Sequence, residues 1–193
     1  MNNNTHDRQR GLVLVEIMMV AGIMIIVSTL IFQFFAQGVD AWELSSYQGD
    51  LHTHAALAME EMVKELRVAT RTAVATPPKI SIPAAPGNTQ IWFYLPRDLD
   101  ANGLIIDAAG NVEWDNNNVI QYQFVPASRQ LQRVAGANLR VLANDVTAVT
   151  FNDQTSDATL LANEVKISLT LQKTTPHRRV ITVSSTSVVK LRN

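Results

Sequence analysis

One stretch of this chain limits its possible folds more than any other. From Leu12 to Ala36 the sequence runs for 25 residues with a single charged side chain, Glu16. As a helix that run is roughly 37 Å long, more than the about 30 Å of a bilayer's hydrocarbon core. A core helix of a soluble protein rarely runs so far without charge. A removable secretory signal has a shorter apolar core, about 7–15 residues, closed by a small-x-small site. Here the run closes on Phe34-Phe35-Ala36-Gln37, with no small residue two positions before Ala36. The expectation is a membrane-spanning helix. Arg8 and Arg10 precede it, and Asp40, Glu43, Asp50, Glu60 and Glu61 follow before the first basic residue, Lys64. Basic flanks stay in the cytoplasm, so the N-terminus is expected inside and the remainder outside. Within the span a carboxylate costs on the order of 2.5–3.5 kcal/mol at a helix centre. Glu16 is therefore a candidate functional residue.

The helix is expected to continue past the membrane. Proline is absent before Pro77, and apolar residues recur at Leu51, Ala55, Ala58, Met62, Leu66, Ala69 and Ala73. Steps of three and four put them on one helical face. Glu60 and Lys64 form a supportive i,i+4 pair, while Gly38 and Gly49 weaken the middle. The spacing predicts one helix over about 12–73, stopped by Thr76-Pro77-Pro78.

Beyond Pro78 the periodicity changes from helical to alternating. Segments 90–95, 119–125, 130–134, 146–151, 165–171 and 179–191 are rich in Val, Ile, Thr and aromatics and bounded by turn residues. They predict an antiparallel meander, with 119–134 as a hairpin. The Pro-rich stretch Pro77–Pro86 reads as a linker, and Trp92, Phe93 and Tyr94 as core or half-buried sheet residues. The fold class is thus α+β: a long N-terminal helix, transmembrane in its first half and amphipathic in its second, packed on an antiparallel β-sheet domain.

The segment Arg10-Gly11-Leu12-Val13-Leu14-Val15-Glu16 resembles the N-terminal signal of type IV pilins and type II secretion pseudopilins. Their pattern is a basic leader, a glycine, Phe-Thr-Leu-x-Glu and then an apolar helix. Leu12 stands where Phe is usual and Val13 where Thr is. The likeness is one of motif over residues 8–36 and of architecture beyond. It implies four parts: a cleaved leader over 1–11, an assembly helix over 12–36, a periplasmic amphipathic helix over 37–76, and a β-rich pilin domain over 77–193. It further implies that a prepilin peptidase cuts after Gly11 and methylates the Leu12 amine. Glu16 would then pair with the charged N-terminus of a neighbouring subunit. The implied partners are other pilin or pseudopilin subunits, the peptidase and the assembly platform of a bacterial inner membrane. Residues 59–67, with the strands near 146–151 and 165–191, look most like J-type minor pseudopilins and W-type minor pilins. An ordinary single-pass protein whose outer domain binds a ligand is the alternative.

A second constellation lies in the β region. Asp98, Asp100 and Asn102 followed by Gly103 begin like a calcium-binding loop, with oxygens at the first, third and fifth places. The twelfth place is Ala109 rather than Glu. Asp107, Glu113 or Asp115 is expected to supply the missing carboxylate, and Asp98, Asp100, Asn102 and Asp107 are the candidate calcium ligands. The competing reading is a connection in which Asp and Asn side chains cap their own backbone.

No enzymatic constellation emerges. His52 and His54 are two apart on a helix and diverge, and the eight glycines are scattered. There are no cysteines, so thiol chemistry and disulfides are excluded. A net charge of -1 gives no basic face for nucleic acid. Apart from calcium, no cofactor is expected.

Overall fold

The computed structural model describes residues 4–69, 80–84 and 87–192, with side chains from Val15 onward. One helix, α1 (Asn4–Val68), is followed by eight strands: β1 (Ile80–Ser81), β2 (Gln90–Phe93), β3 (Ile120–Val125), β4 (Gln130–Ala135), β5 (Asn138–Ala143), β6 (Val146–Asn152), β7 (Glu164–Thr174) and β8 (Val180–Lys190). Neighbouring strands pair antiparallel throughout, in a five-stranded sheet of order β1-β2-β3-β4-β5 and a three-stranded sheet of order β6-β7-β8. The class is α+β, as the residue patterns predict. The chain divides into two units, Met1–Ser46 and Tyr47–Asn193.

In the first unit α1 carries apolar side chains around its whole circumference. Ile17, Met18, Met19, Ile23, Met24, Ile25, Ile31, Phe32, Phe34 and Phe35 are all 60 % or more exposed. Mean hydropathy in this part of the helix reaches 2.4, long and apolar enough to cross a membrane.

In the second unit the expected stripe is the buried face of α1. Leu51, Ala55, Ala58, Met62, Leu66 and Ala69 are almost fully buried, as steps of three and four require. They share a core with Ile91, Phe93, Ile120, Tyr122 and Leu131 of the larger sheet and with Phe151, Ile167, Leu169 and Val183 of the smaller. The rings of Phe93 and Tyr122 lie 5.9 Å apart, tilted by 34°. Each fully buried side chain of this size contributes about 1.5–3 kcal/mol.

The helix bounds differ from the expected 12–73. It begins at Asn4, because nothing from Asn4 to Arg10 interrupts a helical backbone: there is no proline, and glycine comes only at Gly11. It ends at Val68. The Ala69 N–H is shared between the Glu65 and Leu66 carbonyls at 3.2 and 3.1 Å, and the Ala69 carbonyl accepts the N–H of Arg192 at 3.1 Å. A long-range backbone bond thus meets the chain where the helix ends. Ala73 and the Thr76-Pro77-Pro78 stop signal lie outside the described residues.

The single meander is also corrected, to two sheets. The larger gains two strands at its edges. Ile80–Ser81, inside the stretch read as a linker, pairs with Trp92 and Phe93. Asn138–Ala143 pairs with β4 across the two-residue turn Gly136-Ala137, where Gly136 has φ 58°. The two sheets meet where the Val146 and Phe151 N–H groups donate to the Arg129 and Asn88 carbonyls, both at 2.9 Å. At the same seam Gln172 N–H donates to Asp145 at 2.8 Å.

Candidate functional site

The residues singled out by sequence fall in two places. Gly11 and Leu12 lie on the α1 backbone; the Leu12 side chain is outside the described residues. Glu16 is exposed on α1. Three and four positions away in either direction stand Leu12, Val13, Met19 and Val20, so no cation is within helical reach. A carboxylate placed this way among exposed apolar residues must find its counter-charge on another chain, or snorkel towards water.

The acidic loop between β2 and β3 is held largely by its own side chains. Asp98 accepts the Asn102 N–H at 3.2 Å on one oxygen and the Gly103 N–H at 2.8 Å on the other. Asp100 accepts the Asn102 N–H at 3.1 Å and its side-chain amide at 2.8 Å. The Asn102 oxygen accepts from Leu104 at 2.7 Å. Glu113 enters from across the loop, accepting the Leu99 N–H at 2.7 Å. Carboxylate oxygens of Asp98, Asp100 and Glu113 lie within 4.8 Å of one another. Of the four residues expected to hold calcium, Asp107 is not in this group. It closes a separate turn, accepting from Ala109 and Asn111 at 2.9 and 2.8 Å. These bonds, Asn111 foremost, hold its carboxyl below the ordinary value. Of the three carboxylates that could complete the set, Glu113 is the one that joins it, because the bridge Ile106↔Val112 folds the loop back on itself. The donor set is three carboxylates plus an Asn side chain already engaged with Asp100 and Leu104, and the self-capping bonds alone account for the loop's conformation.

A third cluster was not visible in the sequence reading. Arg133 on β4 grips the Glu65 carboxylate of α1 with two nitrogens, at 3.0 Å from Nε and 2.8 Å from Nη2. The Tyr122 hydroxyl of β3 donates to the same carboxylate at 2.5 Å. One turn earlier Glu61 pairs with Arg140 of β5 and lies 3.9 Å from Arg133. Burial, then the Glu65 contact, pushes the Tyr122 hydroxyl well above its usual range, so it stays a donor. The bond to Glu65 likewise raises the Arg133 guanidinium. The signal for this cluster was alternation: Leu131 faces the core, so Arg133 must too. An open groove of about 650 Å³ runs beside it, lined by Leu57, Glu60, Glu61, Lys64, Glu65, Val68 and Leu95.

The remaining candidates stay apart. His52 and His54 are exposed on α1, and the Ser184 hydroxyl is engaged with that of Thr170 at 3.2 Å. Comparison with known protein families, with curated proteins and with solved structures finds no match to this chain.

Proposed function

We propose that this chain is a structural subunit of a type IV pilus or type II secretion pseudopilus, of the minor class. It resides in a bacterial inner membrane before assembly, with its N-terminus in the cytoplasm. A prepilin peptidase cuts after Gly11 and methylates the new amine of Leu12. Glu16 then pairs with that amine on a neighbouring subunit. Few water dipoles compete in an apolar bundle, so the ion pair sets axial register while apolar contact supplies bulk stability. The reading rests chiefly on one observation. A single helix carries an all-round exposed apolar surface, with one carboxylate five residues after a glycine, and continues as the buried face of a β domain.

N-terminal sequencing and intact-mass measurement test this. In cells with a prepilin peptidase the chain is expected to begin at N-methylated Leu12; without the enzyme, or with Gly11→Glu, the leader stays on. An intact leader in competent cells overturns the proposal. Glu16→Val is expected to leave membrane insertion unchanged and to lower recovery in sheared filaments about tenfold or more, a difference of 1.4 kcal/mol or greater. Undiminished recovery would remove Glu16 from that role.

A further inference from the structure

The five-stranded sheet has a second face, turned away from α1. Its composition is unusual for a face in contact with water. The strands hold only two charged residues, Arg133 and Arg140, and both turn inward to glutamates of α1. By alternation the outer face carries Ser81, Gln90, Trp92, Gln121, Gln123, Val125, Gln130, Gln132, Val134, Leu139 and Val141, none of them charged. Natural sheets usually place lysine or glutamate on such faces and edges, to keep other chains from adding.

The five glutamines form one connected network. The Gln121 amide donates to Gln90 at 3.1 Å and to Gln123 at 3.3 Å. Gln123 donates to Gln132 at 3.4 Å, Gln132 to Gln130 at 3.0 Å, and Gln130 to Asn144 at 3.0 Å. Every one of the five is half-buried, so the amides are held in place. Gln90, Gln123 and Gln132 are direct cross-strand neighbours, at steps of about 4.8 Å, close to the length of one hexose ring. Beside them runs a second cross-strand row, Trp92, Gln121, Val134 and Leu139.

We infer that this face binds a neutral polysaccharide chain. Each primary amide has two donor hydrogens and two acceptor lone pairs. Along the ladder Gln123, Gln132 and Gln130 each spend one hydrogen and one lone pair on a described neighbour, which leaves each amide a second hydrogen and a second lone pair for a ligand. A sugar hydroxyl serves as donor or acceptor, so it satisfies either. An apolar protein surface would leave those groups unpaired, at about 1–3 kcal/mol each. The Trp92 ring and the row of Val134 and Leu139 offer an apolar strip to the C–H faces of the sugar rings. With no charge on the face, neither an anionic nor a cationic polymer is selected. The inference is independent of the filament reading.

The test uses the full chain in a detergent without a sugar headgroup, titrated calorimetrically with the β-1,4-linked hexamers of N-acetylglucosamine and of glucose. At least one hexamer is expected to bind at about millimolar concentration or below, with an affinity unchanged between low and high salt. Trp92→Ala and Gln123→Ala are each expected to weaken binding about tenfold. Val134→Lys leaves the ladder intact and is expected to weaken binding as much, with an unchanged melting temperature. Absence of binding by both hexamers overturns the inference, as does binding that none of the three variants diminishes. Self-association of the chain that Val134→Lys abolishes, without any sugar binding, would assign the face to a second copy instead.

Discussion

Glu65 shows how much a single position on α1 does. It is about one-fifth exposed, as is the Arg133 that grips it, so the pair is shielded from most solvent screening yet not fully desolvated. Removing one partner leaves a partly buried charge, which costs more than the pair contributes. Arg133→Met is therefore expected to lower stability by about 1.5–3 kcal/mol in urea unfolding. Adding Glu65→Leu to it should restore part of that loss, because no orphan charge then remains. Asp157 is a different case. The Thr159 hydroxyl and amide, followed by the Lys166 ammonium 3.1 Å away, hold its carboxyl below its ordinary 3.8, at about 2. A depressed carboxyl contributes stability above its unfolded value and loses it as pH falls through the folded one. That stability is thus expected to fade between about pH 4 and pH 2, while the Thr159 amide resonance of the folded protein titrates with its midpoint near pH 2 and loses that transition in Asp157→Asn. At Gly11 the backbone is helical. The cleavage proposed there would require local unwinding, for which glycine is the most permissive non-proline residue.

At the scale of elements, what the sequence made legible was whatever repeated. The stripe from Leu51 to Ala69 is regular, and the structure buries all of it. β7 alternates without a break from Val165 to Leu171, and its burial alternates in step. β5 escaped notice because it is an edge strand. Its first four residues are exposed, so nothing forces an apolar-polar rhythm on them. Its one clear mark is Gly136 in the turn before it. There φ is 58°, and a Cβ would meet the Asn118 side-chain oxygen at 3.3 Å. Gly136→Ala is accordingly expected to cost about 1–2 kcal/mol and to speed amide exchange in Asn138–Ala143. The acidic loop was half legible. Spacing alone gathers Asp98, Asp100 and Asn102, but only the fold-back of the chain brings in Glu113 and leaves Asp107 in its own turn.

At the scale of the whole molecule, the split between Ser46 and Tyr47 separates two kinds of stability. Every buried hydrophobic side chain among the described residues lies at Leu51 or later. The apolar run of the earlier helix, exposed on all sides, gains its favourable free energy from its surroundings. A chain beginning at Tyr47 is therefore expected to be soluble without detergent and to melt in one cooperative transition with unchanged near-ultraviolet dichroism. Aggregation or loss of that signal would mean that the first unit contributes to the core. The Leu12–Ala36 run announced this division in sequence, whereas the seam between the two sheets depends on backbone bonds that leave no compositional trace. A comparable bond joins Ala69, at the end of α1, to Arg192, while the neighbouring Leu191 is buried and donates to Asn163 at 2.8 Å. This fixes an order of events during synthesis. The helix can wind as soon as it is made, but its last turn cannot be fastened until residue 192 has left the ribosome. Until then the growing chain holds an open core, with its longest-range contacts still to form.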